Sequence, residues 1–357
     1  MRNVSKILIG IFIMLLLFGC ANSEETSELF TTNENVSIPQ LSQQQLIINL
    51  TPHQYTYEDL VYDIAELRKI CEDTICVYEL CSTADGRKVY DIVLGDLDCE
   101  NQILIFGAIH GREYITSQIV MKQLCDSIDC LNGYGGEYNG ILLAELFEKI
   151  TIHFIPMSNP DGVTISQFGL SKINNADIKS FLLSMGSNDY EQWKSNANGI
   201  DLNRNFDAGW DEYVGSLKPS SEKYKGTAPG SEPESNALIE LTKKYNIKRT
   251  VSYHTCGAQI YWYYKQTGNV LKESADYAEC ISAETGYPLD SDYTAVDAAG
   301  YKDWAVYSMG IPSITIEIGN ESGRGIINPV PIDYFSDIWS KNKKVVYATI
   351  YNLKYPK

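Results

Sequence analysis

A mixed α/β domain, with a mainly parallel central sheet flanked by helices on both faces, is the fold this sequence predicts. Two observations carry that expectation. Short apolar runs of strand character alternate with segments of helical periodicity, the order that a parallel sheet with crossover helices requires. The run Ile103 to Phe106 is apolar throughout rather than at every second position, so both of its faces must be covered. A third observation sets the size. The 357 residues, 44% of them hydrophobic, suffice for one large domain or two small ones. From about Thr51 the texture is globular to the end, with no second linker and no internal repeat.

In chain order, Glu58 to Ile70 (EDLVYDIAELRKI) has apolar residues at helical spacing. Lys88 to Leu94 (KVYDIVL) reads as a strand and Ile103 to Ala108 as a fully buried one. Ser117 to Ile128 reads as a helix and Ile150 to Ile155 (ITIHFI) as a strand. Glu232 to Tyr245 is predicted helical, capped by Ser231. Arg249 to Tyr253 is a strand running into His254, and Leu271 to Thr285 a helix. Ser313 to Ile318 (SITIEI) is a strand, and Asp333 to Leu353 a final helix. GYGGEYNG at 133–140 is glycine-rich but lacks a following Lys-Ser/Thr, so it is a loop and no phosphate cradle. Tyr261, Trp262, Tyr263 and Tyr264 read as core and cleft wall.

The first residues speak to compartment. Arg2 and Lys6 precede an apolar stretch, Ile7 to Phe18, that is too short for a comfortable bilayer span and suits a secretory signal. Leu17-Phe18-Gly19-Cys20 resembles a bacterial lipobox, in which the cysteine is lipidated and becomes the new first residue. An ordinary signal peptide or an anchor helix is the alternative. Residues 21–50, rich in Ser, Thr, Asn, Gln and Glu, read as a solvated tether, and 51–357 as the folded domain. Without Cys20, eight cysteines remain, an even number that permits disulfides outside the cell. Cys256 reads either as a thiol near the site or as half of a disulfide with Cys280. None of the cysteines forms a CxxC pair, so a Cys-rich zinc site is not expected. The net charge of −17 favours solubility and repels nucleic acid and anionic lipid.

In open sheets of this kind ligands bind outside the carboxyl ends of the strands. The strand at 103–108 leads into His110 and Glu113, that at 249–253 into His254, and that at 313–318 carries Glu317. A catalytic zinc keeps three protein ligands and an open position. His110 and Glu113 could clamp one ion from one loop with His254 as third ligand, leaving Glu317 a free carboxylate beside it. H-x-x-E alone occurs often by chance, and His254 could be a satisfied strand-end histidine. His153 reads as packed or hydrogen-bonded in the sheet, and His53 sits in a polar segment.

IPMSNPDGV at 155–163 and WKSNANGIDLNRNF at 193–206 change the balance. With HGRE before them, and YHTCGAQIYW and TIEIG after, the chain resembles the zinc carboxypeptidase family from roughly Tyr55 to Trp339. The resemblance implies that fold and one zinc ion held by His110, Glu113 and His254. It makes Asp201 the acid that orients His110. Asn203 and Arg204 become the pair that grips a peptide's terminal carboxylate, and Arg112 lines the substrate cleft. Glu317 becomes the base that takes a proton from water and hands it to the leaving amine.

Two departures are visible. The family's digestive members carry an arginine after a tryptophan to stabilise the oxyanion, and here Trp193 is followed by Lys194. The tyrosine that closes over substrate is best matched by Tyr293, two residues too far from Asp303-Trp304. WKSNANGIDLNRNF, SYHTCGAQIYW and GYKDW are instead similar to the bacterial branch that cuts γ-D-glutamyl to diamino-acid bonds in cell-wall peptides. Lys302 sits where the family sets side-chain preference. A cation there suits diaminopimelate, although Lys302 could equally pair with Asp303. The expectation is therefore a monomeric zinc carboxypeptidase acting on muropeptides, an extracytoplasmic lipoprotein facing the wall and held to the membrane by its N-terminal lipid alone. The rivals are a general carboxypeptidase for peptide C-termini, a zinc hydrolase of N-acyl amino acids and a non-catalytic zinc-retaining binding lipoprotein.

Overall fold

The computed structural model describes residues 50–186, 189–290, 298–321 and 323–357. The described residues open with α1 (Tyr57–Ile70), β1 (Ile75–Ser82), β2 (Lys88–Leu94), β3 (Gln102–Phe106) and α2 (Ile115–Leu131). A small hairpin, β4 (Glu137–Tyr138) and β5 (Ile141–Leu142), leads into α3 (Leu143–Phe147) and β6 (Thr151–Ile155). Next come α4 (Pro160–Phe168), α5 (Ala176–Ser184) and α6 (Pro233–Lys244), then β7 (Ile247–Thr255), β8 (Gln259–Tyr261), α7 (Gly268–Thr285) and β9 (Leu289–Asp290). The chain ends with α8 (Tyr301–Tyr307), β10 (Ser313–Ile318), α9 (Phe335–Asn342) and α10 (Val345–Lys354).

Among the described residues, eight strands form one sheet in the order β1-β2-β6-β3-β7-β10-β8-β9. Its centre, β6-β3-β7-β10, is wholly parallel, and the antiparallel pairings join β1, β2 and β8 to it. Successive side chains of a strand point to opposite faces, and β3 shows the result. Ile103 and Ile105 pack with Leu60, Ile119, Tyr277 and Val346 from α1, α2, α7 and α10. Leu104 and Phe106 pack with Leu238 and Trp304 from α6 and α8. Each face of the sheet thus has its own core, as the uninterrupted apolar run requires.

Several boundaries differ from expectation, each for a physical reason. The final helix is broken between α9 and α10. The Asn342 carbonyl accepts from Gln123 Nε2 of α2 at 3.0 Å, so a side chain holds the group where the break falls. Glu232, not Ser231, is the N-cap of α6, and its side chain makes no capping bond. Pro233 fixes the first turn, and Asn205 Oδ1 accepts from both Glu232 N and Ser235 Oγ, so a loop amide caps the helix. The glycine-rich 133–140 segment is only partly loop, because Asn139 and Gly140 both have positive φ and turn the β4–β5 hairpin. All eight described cysteines are free thiols, which corrects the disulfide expectation, including the Cys256–Cys280 option. His153 is fully buried between Asp91 Oδ2 at 2.8 Å and Gln102 Oε1 at 2.9 Å, a sheet histidine as expected.

Candidate active site

The carboxyl ends of β3, β7 and β10 meet at one edge of the sheet. His254 and Glu317 are direct partners on adjacent parallel strands, so their side chains leave the same face. After β3 the chain turns through Ala108 (φ 48°) into a 3-10 turn, Gly111–Glu113, which presents His110 and Glu113. Gly111 is obligatory there. A Cβ at that position would stand 2.3 Å from the Gly162 carbonyl oxygen and 2.8 Å from that of Trp193. Asn159 knits the same corner. Its Oδ1 accepts from Gly162 N and caps α4, while its Nδ2 donates to the Ile109 carbonyl at 3.1 Å.

His110, Glu113 and His254 are all buried, and their ligand atoms lie within 4.8 Å of one another. His110 Nδ1 is 2.9 Å from Glu113 Oε1, His254 Nδ1 is 3.0 Å from Glu113 Oε2, and the two Nδ1 atoms are 3.2 Å apart. On its other side His110 Nε2 meets Asp201 Oδ1 at 3.2 Å, and Asp201 Oδ2 accepts from Lys223 N at 2.9 Å. With Nε2–H given to Asp201, His110 Nδ1 offers a bare lone pair to its neighbours. Two nitrogens sharing a tetrahedral zinc, each at its usual bond length, stand about 3.3 Å apart. The residues present therefore fit one such ion, with nitrogen and oxygen donors suited to zinc.

The charges are arranged accordingly. Burial works against the Glu113 carboxylate, but His110 and His254 outweigh it and hold the group well below the usual carboxylate range. Asp201 is likewise pushed up by burial and pulled further down by His110, with Arg204 and Lys194 assisting. Glu317 behaves differently. Burial pushes it up to about 7, His254 opposes, Glu113 adds to the rise, and Lys194 and Arg204 oppose. The residue is half-buried, its Oε2 is shielded from solvent, and that oxygen has no hydrogen-bond partner among the described residues.

The remaining expected residues are placed as follows. Lys194 Nζ lies 3.9 Å from Glu113 Oε1, at the metal edge. Arg112 Nη1 donates to the Gln192 carbonyl and Oε1 at 3.2 and 3.3 Å. Asn203 Oδ1 accepts from Tyr301 N at 3.0 Å, and Arg204 Nη1 donates to the Asn203 carbonyl at 2.9 Å, its guanidinium 5.2 Å from the Tyr213 ring centroid. Lys302 Nζ donates to the Tyr263 carbonyl at 2.9 Å and pairs with Asp303 at 2.6 Å, the pairing that the sequence left open. Tyr293 and Cys20 lie outside the described residues. Cys256 is half-buried beside the site, and burial, with Glu317 and Glu113 adding, pushes its thiol up to about 11.

Sequence reasoning missed the supports. Asn159, Gln192 and Asn328 make hydrogen bonds that hold the site loops; Asn159 opens the NPDG motif, but the other two are isolated amides that carry no spacing signal. Arg87 and Asp161, paired at 2.9 Å and buried, clamp the start of α4 to the turn before β2. The NPDG motif that holds Asp161 was the available clue.

Residues 60–344 match the family model described as zinc carboxypeptidase. The chain is 32% identical over 249 residues to γ-D-glutamyl-L-diamino acid endopeptidase 1 of Lysinibacillus sphaericus, a match covering 68% of this chain and 60% of that protein. It is 28% identical over 268 residues to human carboxypeptidase B, covering 70% and 58% respectively. The fold is shared with bovine thrombin-activatable fibrinolysis inhibitor in complex with tick carboxypeptidase inhibitor. That likeness has a TM-score of 0.65 at 20% identity and covers 84% of this chain and 97% of that one. Carboxypeptidase A of Helicoverpa armigera is similar with a TM-score of 0.64 at 18% identity, covering 88% and 77%.

Proposed function

The chain belongs to the zinc carboxypeptidase family and is in class a zinc metallopeptidase, and from that premise we propose that it cleaves cell-wall muropeptides at γ-D-glutamyl-diaminopimelate bonds. One observation carries the hydrolytic part: an unligated carboxylate, Glu317, beside a buried His-Glu-His triad. The similarity to an endopeptidase named for γ-D-glutamyl-L-diamino acid bonds supports the wall-peptide part.

His110, Glu113 and His254 would hold the ion. When bound, zinc supplies a Lewis acid that polarises the scissile carbonyl and acidifies water. Glu317 takes the proton from the attacking water and delivers it to the leaving nitrogen. Lys194 stands at the metal edge as a point charge for the developing oxyanion. Asn203 has its Oδ1 occupied by Tyr301 N, which turns its amide donor towards use as a carboxylate ligand beside the Arg204 fork. Lys302, fixed by Tyr263 and Asp303, would meet the extra carboxylate of diaminopimelate, and Arg112 would line the substrate cleft. Tyr293 remains a candidate to close over substrate.

The test is product analysis on defined muropeptides, with and without chelator. Cleavage at the γ-D-glutamyl bond, abolished by chelator and restored by zinc, is expected. Release of ordinary C-terminal residues with muropeptides untouched would favour the general carboxypeptidase, and zinc retention without turnover the binding lipoprotein. Residues 1–20 as a lipoprotein signal and 21–50 as a tether belong to the same proposal, placing the domain at 51–357 outside the cell. A Cys20→Ser variant should leave the membrane fraction, read by fractionation and blotting.

A further inference from the structure

The loop that follows β10 reaches back across the site. Asn328 Oδ1 accepts from Thr255 Oγ1, and Thr255 directly follows the ligand His254. The backbone N–H of Thr255 donates to Glu113 Oε2 at 3.2 Å, so this residue already touches the metal cluster. The Asn328 carbonyl in turn accepts from Gln192 Nε2 at 2.6 Å. The same Gln192 amide uses its oxygen, together with its backbone carbonyl, to receive Arg112 Nη1. One continuous chain of hydrogen bonds therefore joins the carboxyl end of β7, the post-β10 loop and the Arg112 guanidinium.

Its effect on Arg112 is specific. Both acceptors engage Nη1 alone. Nε is shielded from solvent and has no hydrogen-bond partner among the described residues. The nearest acid to Nη2, Glu222 Oε2, is 3.9 Å away, beyond hydrogen-bond range. Gln192 thus holds the guanidinium by its Nη1 corner and leaves Nη2, which has Glu222 at ion-pair distance but no hydrogen bond among the described residues, as the corner that can turn to a substrate oxygen. An arginine in a cleft loses side-chain entropy when it binds, and a fixed corner lowers that cost.

We propose that Gln192 is a positioning residue for Arg112, and that Asn328 braces Gln192 against Thr255 so that the guanidinium and the metal ligands keep one register. The inference rests on Arg112 facing substrate, as the functional reading has it. It does not depend on which peptide is cut.

The test is a double-mutant cycle on zinc-loaded protein, with whichever peptide it cleaves. Gln192→Met keeps the length of the side chain and removes both amide groups. We expect KM to rise about tenfold with kcat within about threefold, and zinc content and melting temperature held. In an Arg112→Ala background the Gln192→Met penalty should vanish, because Gln192 acts through Arg112. Asn328→Ala should give a smaller rise in KM with the same dependence on Arg112. A Gln192 penalty of equal size with and without Arg112, or an unchanged KM in Gln192→Met, overturns the strut. Unaltered kinetics in Arg112→Ala alone would overturn both the strut and the placement of Arg112 on substrate. Loss of muropeptide cleavage with other peptides still cut would touch only the substrate reading.

Discussion

Glu317 is the residue on which turnover should hang. Its Oε2 is shielded and makes no hydrogen bond among the described residues, an expensive state for a carboxylate unless a proton or a reacting water visits it. Glu317→Gln keeps the shape and removes the proposed base. Turnover should fall by roughly 10²–10⁴-fold while one zinc per chain stays bound, read by metal analysis beside kinetics. Metal loss in that variant would make Glu317 a ligand instead. The pH profile follows from the same atom. Burial pushes the carboxyl up to about 7, with Glu113 adding, and a bound cation must draw it back down. A carboxylate proposed as a base works only when deprotonated, so kcat/KM should fall as pH drops through an apparent pKa below about 7. An acid limb centred above that value would exclude Glu317 as its source.

At the scale of elements, the site depends on two turns touching. Gly111, in the turn after β3, lies against Gly162 near the start of α4, with no room for a methyl group. Gly111→Ala would meet backbone oxygens that cannot step aside. The expected cost is about 1–3 kcal/mol of stability and, because a displaced ligand turn misplaces the ion, on the order of 10²-fold in kcat/KM. Thermal melts and kinetics would show both, and a fully active Gly111→Ala enzyme would contradict the close approach. The sequence was informative at the same scale wherever periodicity was strong. KVYDIVL and SITIEI coincide with β2 and β10, and the three strands that carry the site residues were legible because each apolar run ends at a polar group. It was poor where tertiary partners decide. Asn205 caps α6 from a distant loop and displaces Ser231, Gln123 holds the carbonyl at which the last helix breaks, and α4, α5 and α8 lie close to turn-rich segments whose periodicity is weak. The ligand set was readable as residue types in order. The Arg112–Gln192–Asn328 chain was not, since its members are separated by up to 216 positions and share no motif.

Across the whole molecule the metal site sits on the two middle strands of the sheet, with His110 and Glu113 beyond β3 and His254 on its neighbour β7. Without a cation, a buried Glu113 carboxylate and two facing imidazoles must be neutralised by protons alone, in a chain whose net charge is already −17. Binding of an ion to the folded state only adds RT ln(1 + [Zn]/Kd), about 4 kcal/mol at a thousandfold excess over Kd. For a domain of roughly 300 residues each kcal/mol is worth about 1.5 °C. Stripping zinc with a chelator at neutral pH should therefore lower the melting temperature by roughly six degrees, and re-addition of zinc should restore it together with activity. The shift should widen as zinc is raised and shrink towards acid pH, because metal ligands must be deprotonated to bind. A melting temperature that ignores both chelator and zinc would mean that the centre of the sheet is held without an ion, and the shared-ligand geometry would then have to be explained by hydrogen bonding alone.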